Sequence, residues 1–135
     1  MPTDLPDYTK KIAITVTVDQ EQVPETAATE TAITALGRYS GTATTYQTVA
    51  SWTVTAGKSG ALRELAMESS SYTKTYFKVT IASVTQFEDK VVQAPFALAY
   101  PEVKLEAGAV VTVQAKSTDG TSITVDALIT GKEVG

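Results

Sequence analysis

The sequence alternates apolar and polar side chains over residues 109–116 (AVVTVQAK) and again over residues 123–129 (ITVDALI). Successive side chains of a β-strand point to opposite faces, so each stretch predicts a strand with an apolar stripe that a sheet partner must cover. The pair Asp119-Gly120 lies between the stretches and favours a tight reversal, because glycine tolerates positive φ. The pattern predicts an amphipathic hairpin within residues 105–129.

Similar alternation recurs along the chain between turns rich in glycine, serine and proline. It predicts further strands at residues 11–18, 46–56, 62–68, 76–83, 84–89 and 90–100. Short strands at this spacing are typical of sandwiches and barrels. We therefore predict an all-β fold, an antiparallel, jelly-roll-like β-sandwich of about eight to ten strands. It would form a single domain over residues 11–135, preceded by an extended N-terminal arm over residues 1–10.

Three stretches are less regular. Residues 26–36 are flanked by residues typical of helix ends, Pro24 and Glu25 before them and Gly37 after them. Their threonines nevertheless favour a strand, and the strand is the preferred interpretation. Residues 37–45 are small and are predicted to form a loop that holds Arg38 and Tyr39. Pro101 is predicted to end the strand before it, because proline cannot donate to a sheet ladder.

Two side chains predict details of the sandwich. Leu62 and Leu65 differ in parity, which predicts a β-bulge between them. Trp52 is the only tryptophan of the chain. Inside a sandwich it would bury a large apolar area, and its ring N–H would need a hydrogen-bond acceptor.

The composition excludes several kinds of chemistry. The chain has no cysteine and no histidine, so Ser-His-Asp and Cys-His nucleophile systems cannot be built, and zinc, copper and non-haem iron lose their preferred ligands. We therefore predict no cofactor. A net charge of −4 disfavours nucleic acid and anionic membrane surfaces as partners. Without a signal peptide or an apolar run of bilayer length, we expect a soluble protein.

Some residues superficially suggest catalysis. Glu64 and Glu68 could share a strand face, and Glu88 and Asp89 are adjacent, but a solvated face and a turn are the preferred interpretations, since glycosidases need a raised-pKa acid in a cleft. Residues 57–60 (GKSG) lack the upstream glycine and the following helix of a phosphate loop. We expect a protein that is not an enzyme.

The chain also has no asparagine. Asparagine is thermolabile, so one interpretation is adaptation to a hot environment. Compositional drift in a small chain rich in threonine and alanine is the preferred alternative, since no single mechanism dominates thermostability.

Candidate interaction residues fall into two groups. Residues of the arm could lie across a neighbouring subunit, or the arm could be a frayed end. Tyrosines near loops or on outer faces could form a subunit interface or stack on sugar rings, or could simply pack at an edge with the hydroxyl in water. The candidates are Pro2, Leu5, Pro6, Tyr8, Tyr39, Tyr72 and Tyr76.

Several strand–turn phrases together resemble the jelly-roll accessory proteins of tailed-phage virions, which include capsid decoration proteins and tail-attached β-sandwiches. The phrases are WTVTAGKSG (52–60), LREL (62–65), FKVTI (77–81), YP (100–101), LEAG (105–108) and STDGT (117–121). The similarity covers residues 46–130. It implies a virion structural subunit, often a homotrimer, that binds an assembled protein lattice and has no catalytic residues.

Two functions follow as hypotheses. The first is a non-enzymatic virion protein, a capsid decoration or other virion-attached subunit, whose partners are copies of itself and a capsid or other virion protein. Repetition on a lattice would then provide avidity from modest single contacts. The second is a carbohydrate-binding module on the same frame, which would recognise glycans through exposed tyrosines.

Overall fold

The computed structural model describes residues 29–135, so the predicted arm and the predicted strand at residues 11–18 lie outside the described residues. Eight strands make up most of this part of the chain. They are β1 (Glu30–Gly41), β2 (Gln47–Thr53), β3 (Ser59–Ser69), β4 (Thr75–Ile81), β5 (Val84–Lys90), β6 (Phe96–Leu105), β7 (Val110–Ser117) and β8 (Ile123–Val134). One 3-10 turn, Tyr72–Lys74, precedes β4. From Thr29 onward there is no helix with the length and apolarity needed to cross a membrane.

The strands form two antiparallel sheets of four. The first sheet has the order β1-β8-β3-β6, and the second has the order β2-β7-β4-β5. The ladder pairs 1–8, 2–7, 3–6 and 4–5 are those of one long hairpin folded over on itself, which is the jelly-roll arrangement. The predicted all-β, antiparallel, jelly-roll-like sandwich is confirmed.

The predicted hairpin within residues 105–129 is wrong. β7 pairs with β2 and β4 in the second sheet, whereas β8 pairs with β1 and β3 in the first. Residues 118–122 carry the chain across the sandwich, with Gly120 at φ 86°. The predicted apolar stripes are buried, but they face each other across the core. Alternation identifies the inward side chains, and it does not identify the hydrogen-bonded neighbour.

A two-residue hairpin turn does occur, between β4 and β5. Ile81 is directly opposite Val84, and the turn residues Ala82 and Ser83 have φ values of 49° and 69°. Positive φ at both positions is typical of a type I′ turn, which Asn-Gly usually forms. For alanine and serine this conformation is strained, because Cβ approaches the neighbouring carbonyl oxygen. The sequence Ala82-Ser83 therefore gives no indication of the hairpin turn that it forms.

This strain leads to a stability prediction. Replacing Ala82 and Ser83 together by Asn and Gly should stabilise the protein by about 1 kcal/mol, because these residues adopt positive φ at lower cost. Thermal unfolding of the double variant should show a midpoint raised by a few degrees. The matched control is Ala56→Asn at an exposed turn position whose φ is not positive, which should leave the midpoint unchanged. A lowered midpoint in the double variant would contradict the turn assignment.

The first described strand is longer than the sequence predicts. A strand within residues 26–36 is confirmed from Glu30 onward, but β1 continues to Gly41, so the loop prediction is wrong for residues 37–41. The two glycines that suggested a loop serve close packing instead. A Cβ on Gly37 would lie 1.8 Å from the carbonyl oxygen of Val49, and one on Gly41 would lie 2.5 Å from the hydroxyl of Tyr39.

The predicted end at Pro101 is also wrong, since β6 runs on to Leu105. β6 is an edge strand, where a residue without an N–H is tolerated. The predicted bulge between Leu62 and Leu65 is confirmed at Arg63, where the register of β3 shifts against both β6 and β8. Glu102, in the same bulged region of β6, has a φ of 50°.

The two sheets meet over an apolar core in which Trp52 is 5% exposed. Its Nε1 donates a hydrogen bond of 2.9 Å to Oε2 of Glu133, and the backbone N–H of Thr55 donates to the same oxygen at 3.0 Å. The prediction that Trp52 lies inside the sandwich with a partner for its N–H is confirmed. The partner is a carboxylate that is itself only 4% exposed. The hydrogen bond from Trp52, followed by the one from Thr55, lowers the pKa of Glu133.

Glycines make room for the indole ring. A Cβ on Gly131 would lie 2.9 Å from Cζ3 of Trp52, and one on Gly60 would lie 3.2 Å from Cη2. Both glycines belong to the first sheet, whereas Trp52 belongs to the second. Gly60, part of the phosphate-loop-like GKSG stretch, therefore packs beneath an aromatic ring.

The buried carboxylate gives a prediction with a defined pH dependence. Glu133→Ala leaves the N–H groups of Trp52 and Thr55 without their acceptor, and should lower the free energy of unfolding at pH 7 by about 2 kcal/mol or more. Glu133→Gln keeps an accepting oxygen and should lose less. The folded pKa lies below the unfolded value of about 4.3, so the stabilisation by the charge is present above that value and is lost as the pH falls.

Urea unfolding followed by Trp52 fluorescence at pH 7 and pH 3 measures these differences. The gap in unfolding free energy between the wild type and Glu133→Gln should narrow at the lower pH. Glu106→Ala, at an exposed turn, is the matched control and should behave as wild type. A gap that widens at pH 3 would show that the charge does not stabilise the fold.

Candidate interaction surfaces

The outward face of the first sheet carries an apolar row that crosses all four strands. Leu36 of β1 lies opposite Leu128 of β8, Leu128 lies opposite Ala66 of β3, and Ala66 lies opposite Ala97 of β6. We call these four residues the apolar row. Leu36 is 76% exposed, the largest exposure among the exposed large hydrophobic residues of the described chain. The row exists because each of these residues has the outward parity of its strand.

The side chains of the apolar row differ in length across the sheet. Two leucines stand on the β1–β8 side and two alanines on the β3–β6 side. An open depression of about 330 Å³ lies along the row, and Pro95 and Phe96 line it at the start of β6. The step from long to short side chains thus gives the face one raised half and one lowered half.

A charged row runs beside the apolar row. Arg38 is opposite Asp126, and Asp126 is opposite Glu68. The Arg38 guanidinium donates from Nε to Oδ1 of Asp126 at 2.6 Å and from Nη2 to Oδ2 at 3.1 Å. The hydrogen bond from Arg38 lowers the pKa of Asp126. Exposed ion pairs add little stability, so this bidentate pair chiefly orients the guanidinium.

The outward face of the second sheet carries a different group of side chains, which we call the tyrosine–lysine cluster. Its members are Tyr46, Tyr76, Lys78, Asp89 and Lys116. The ammonium of Lys116 lies 4.5 Å from the ring centroid of Tyr46 and 5.6 Å from that of Tyr76. The ammonium of Lys78 lies 5.4 Å from the ring centroid of Tyr46. Cations at these distances are attracted to the face of an aromatic ring.

Asp89 is the polar partner of this cluster. The Tyr46 hydroxyl donates to the Asp89 carboxylate and accepts the Asp89 backbone N–H at 2.7 Å. Lys116 Nζ lies 3.2 Å from Asp89 Oδ1. Burial, followed by the hydrogen bond to Asp89, raises the pKa of Tyr46, and the same hydrogen bond lowers the pKa of Asp89. The Glu88–Asp89 pair therefore lies in β5, where Asp89 ties the edge strand to its neighbours, rather than in a turn.

The Tyr46 hydroxyl is open to a direct test. Tyr46→Phe removes both hydrogen bonds to Asp89 and should lower the free energy of unfolding by about 1 kcal/mol. Tyr76→Phe is the matched control, since within residues 29–135 the Tyr76 hydroxyl makes no hydrogen bond with another side chain or the backbone. Chemical unfolding of the two variants provides the measurement. Equal effects would mean that the hydroxyl of Tyr46 contributes nothing to holding β5.

The predicted interaction residues are dispersed in the structure. Pro2, Leu5, Pro6 and Tyr8 lie outside the described residues. Tyr39 points inward from β1, packs against the core, and accepts the backbone N–H of Ala43 at 3.0 Å. Tyr72 lies in the 3-10 turn and also packs against the core, whereas Tyr76 faces outward in the tyrosine–lysine cluster. An interaction role for these tyrosines stays a prediction.

Sequence reasoning missed the apolar row, although one signal was present. Leu128 breaks the alternation of its stretch, because it has the same parity as Thr124 and Asp126. A large apolar residue on the polar side of a strand marks an outward apolar position. Its neighbour Leu36 lies far away in the sequence and meets Leu128 only through the β1–β8 register.

Among the described residues, no group of three or more carboxylates is arranged to hold a metal ion. The chain matches no protein-family model and no curated protein sequence. What the protein does is consequently inferred from its two outward faces.

Proposed function

We propose that the chain is a non-enzymatic structural protein that acts through protein–protein contacts, as a capsid decoration, stabilising or otherwise virion-attached subunit. The observation that carries the proposal is the apolar row on the outward face of the first sheet. A leucine that is 76% exposed, in register with a second leucine and two alanines, forms a contiguous apolar strip. Contiguous exposed apolar surface rimmed by polar residues marks interaction sites.

The surroundings of the row support a protein partner. The strip is flanked on one side by Arg38, Asp126 and Glu68 and on the other by Thr34, Thr130 and Glu64. A mixed apolar and polar surface of this kind is typical of non-obligate interfaces. The net charge of −4 favours a protein partner over nucleic acid or an anionic membrane. Flat sheet faces pack against other sheets at about 10 Å, which suits lateral contact between sandwich subunits.

The virion is proposed from two further considerations. The jelly roll is an architecture that viral capsid domains use, and the strand–turn phrases of residues 46–130 resemble virion accessory proteins. That resemblance favours a trimer and gives residues 1–10 a role as an arm on a neighbouring subunit. Many copies on a lattice would bind by avidity even where each contact is weak.

Solution mass tests this proposal. Light scattering on the full chain should give a stable multiple of the 14.3 kDa subunit mass. Deleting residues 1–8 should reduce assembly and leave thermal unfolding nearly unchanged if the arm acts between subunits. A strictly monomeric full chain across the accessible concentration range would contradict the proposal.

Glycan binding is the second candidate, and one observation favours it. Two tyrosine rings, Tyr46 and Tyr76, lie on either side of Lys116 on the outward face of the second sheet, where a sugar ring could stack. Calorimetric titration with oligosaccharides, comparing the wild type with Tyr76→Ala, separates the two functions. Binding that the variant loses would favour the module over the structural subunit.

A further inference from the structure

We infer that the outward face of the first sheet is a two-fold interface between two copies of this chain, in which the leucines of one apolar row pack on the alanines of the other. The inference rests on the protein–protein contacts of the proposed function, names the partner of that same surface, and puts a dimer in place of the trimer that the resemblance favours. Two features of the described residues carry it: the shape of the apolar row and the size of the face.

The shape of the apolar row is self-complementary. A two-fold axis that runs along the strands between β8 and β3 exchanges β1 with β6 and β8 with β3, given the strand order of the sheet. Leu36 then faces the partner subunit's Ala97, and Leu128 faces the partner subunit's Ala66. The raised half of each copy thereby enters the depression of the other, and such an isologous contact closes after two copies.

The same rotation also brings the two charged rows together. Arg38 stands on the edge strand β1, while Glu68 stands two strands away on β3. Within residues 29–135, Glu68 belongs to no ion pair, because Arg38 is turned to Asp126. The rotation lays β8 over the partner's β3, so the Arg38–Asp126 ion pair faces the partner subunit's Glu68. Each such meeting joins two carboxylates and one guanidinium, so the charged row does not by itself select this rotation.

The face has the size that a stable dimer needs. Four strands at a spacing of about 4.8 Å span roughly 19 Å, and ten to twelve residues at about 3.3 Å each span roughly 35 Å. The footprint is then roughly 700 Å², close to the roughly 800 Å² per partner of a standard interface. Aligned packing of two sheets at about 30° would cover most of it.

The first experiment measures the mass of the full chain by sedimentation and light scattering. Leu36→Asp should halve the mass, because it places a charge against the partner subunit's Ala97 within the apolar contact, and should weaken self-association on the order of tenfold or more. Val84→Asp is the matched control: it changes an exposed apolar residue of β5 in the second sheet and should leave the mass unchanged. Circular dichroism and thermal unfolding establish that each variant is folded.

A second set of variants distinguishes a fitted interface from general stickiness. Ala97→Leu fills the receiving half of the face, so under the two-fold it should weaken association, whereas a merely adhesive face would associate more strongly. The double variant Leu36→Ala and Ala97→Leu exchanges the long and short side chains and should restore the wild-type mass. Failure of this rescue, with Ala97→Leu dissociated and both variants folded, would overturn the inference.

The outcomes separate the inference from the proposed function. A wild-type trimer that Leu36→Asp leaves intact would overturn the two-fold interface and leave a self-assembling structural protein. A monomeric wild type would overturn both. An even-numbered oligomer that Leu36→Asp halves and the exchanged pair restores would support the interface.

Discussion

The structure depends on one buried carboxylate oxygen that joins the two sheets. Glu133 extends inward from the first sheet and accepts hydrogen bonds from the Trp52 ring and the Thr55 backbone, which belong to the second sheet and the loop after it. Such a bond has a defined length and direction, unlike apolar contact, so it sets how the sheets lie on each other. Gly60 and Gly131 provide the space that the indole ring occupies. Once the inward faces are held in this way, the outward positions of every strand follow.

The sequence indicates which side chains point into the core, but it indicates little about which strands pair with each other. Phe77, Val79 and Ile81 are buried as their alternation predicts, and so are the stripes on β7 and β8. The partner of each strand depends on contacts between residues far apart in the chain, which local periodicity does not encode. The Asp-Gly pair consequently predicted a hairpin where the chain changes sheets, while the real hairpin turn is formed by Ala82 and Ser83.

The candidate surface shows a similar division. The sequence parity of Leu128 already marks it as an outward apolar residue. The apolar row as a whole can be identified only from the registers of four strands, which come from both ends of the described chain. The step from leucine to alanine becomes visible only when those registers are known. Tyrosines near predicted loops were a weaker guide, because Tyr39 and Tyr72 pack against the core, and tyrosine combines an apolar ring with a polar tip that suits such half-buried positions.

The position of β8 has a consequence for biosynthesis. It is the last described strand to leave the ribosome, yet it lies inside the first sheet, between β1 and β3. Until β8 is synthesised, β1 and β3 have unpaired edges. Glu133, whose carboxylate accepts the Trp52 N–H, is also part of β8. A chain that stops before Ile123 would therefore have two bare strand edges in the first sheet. Completion of the first sheet thus waits for residues 123–134.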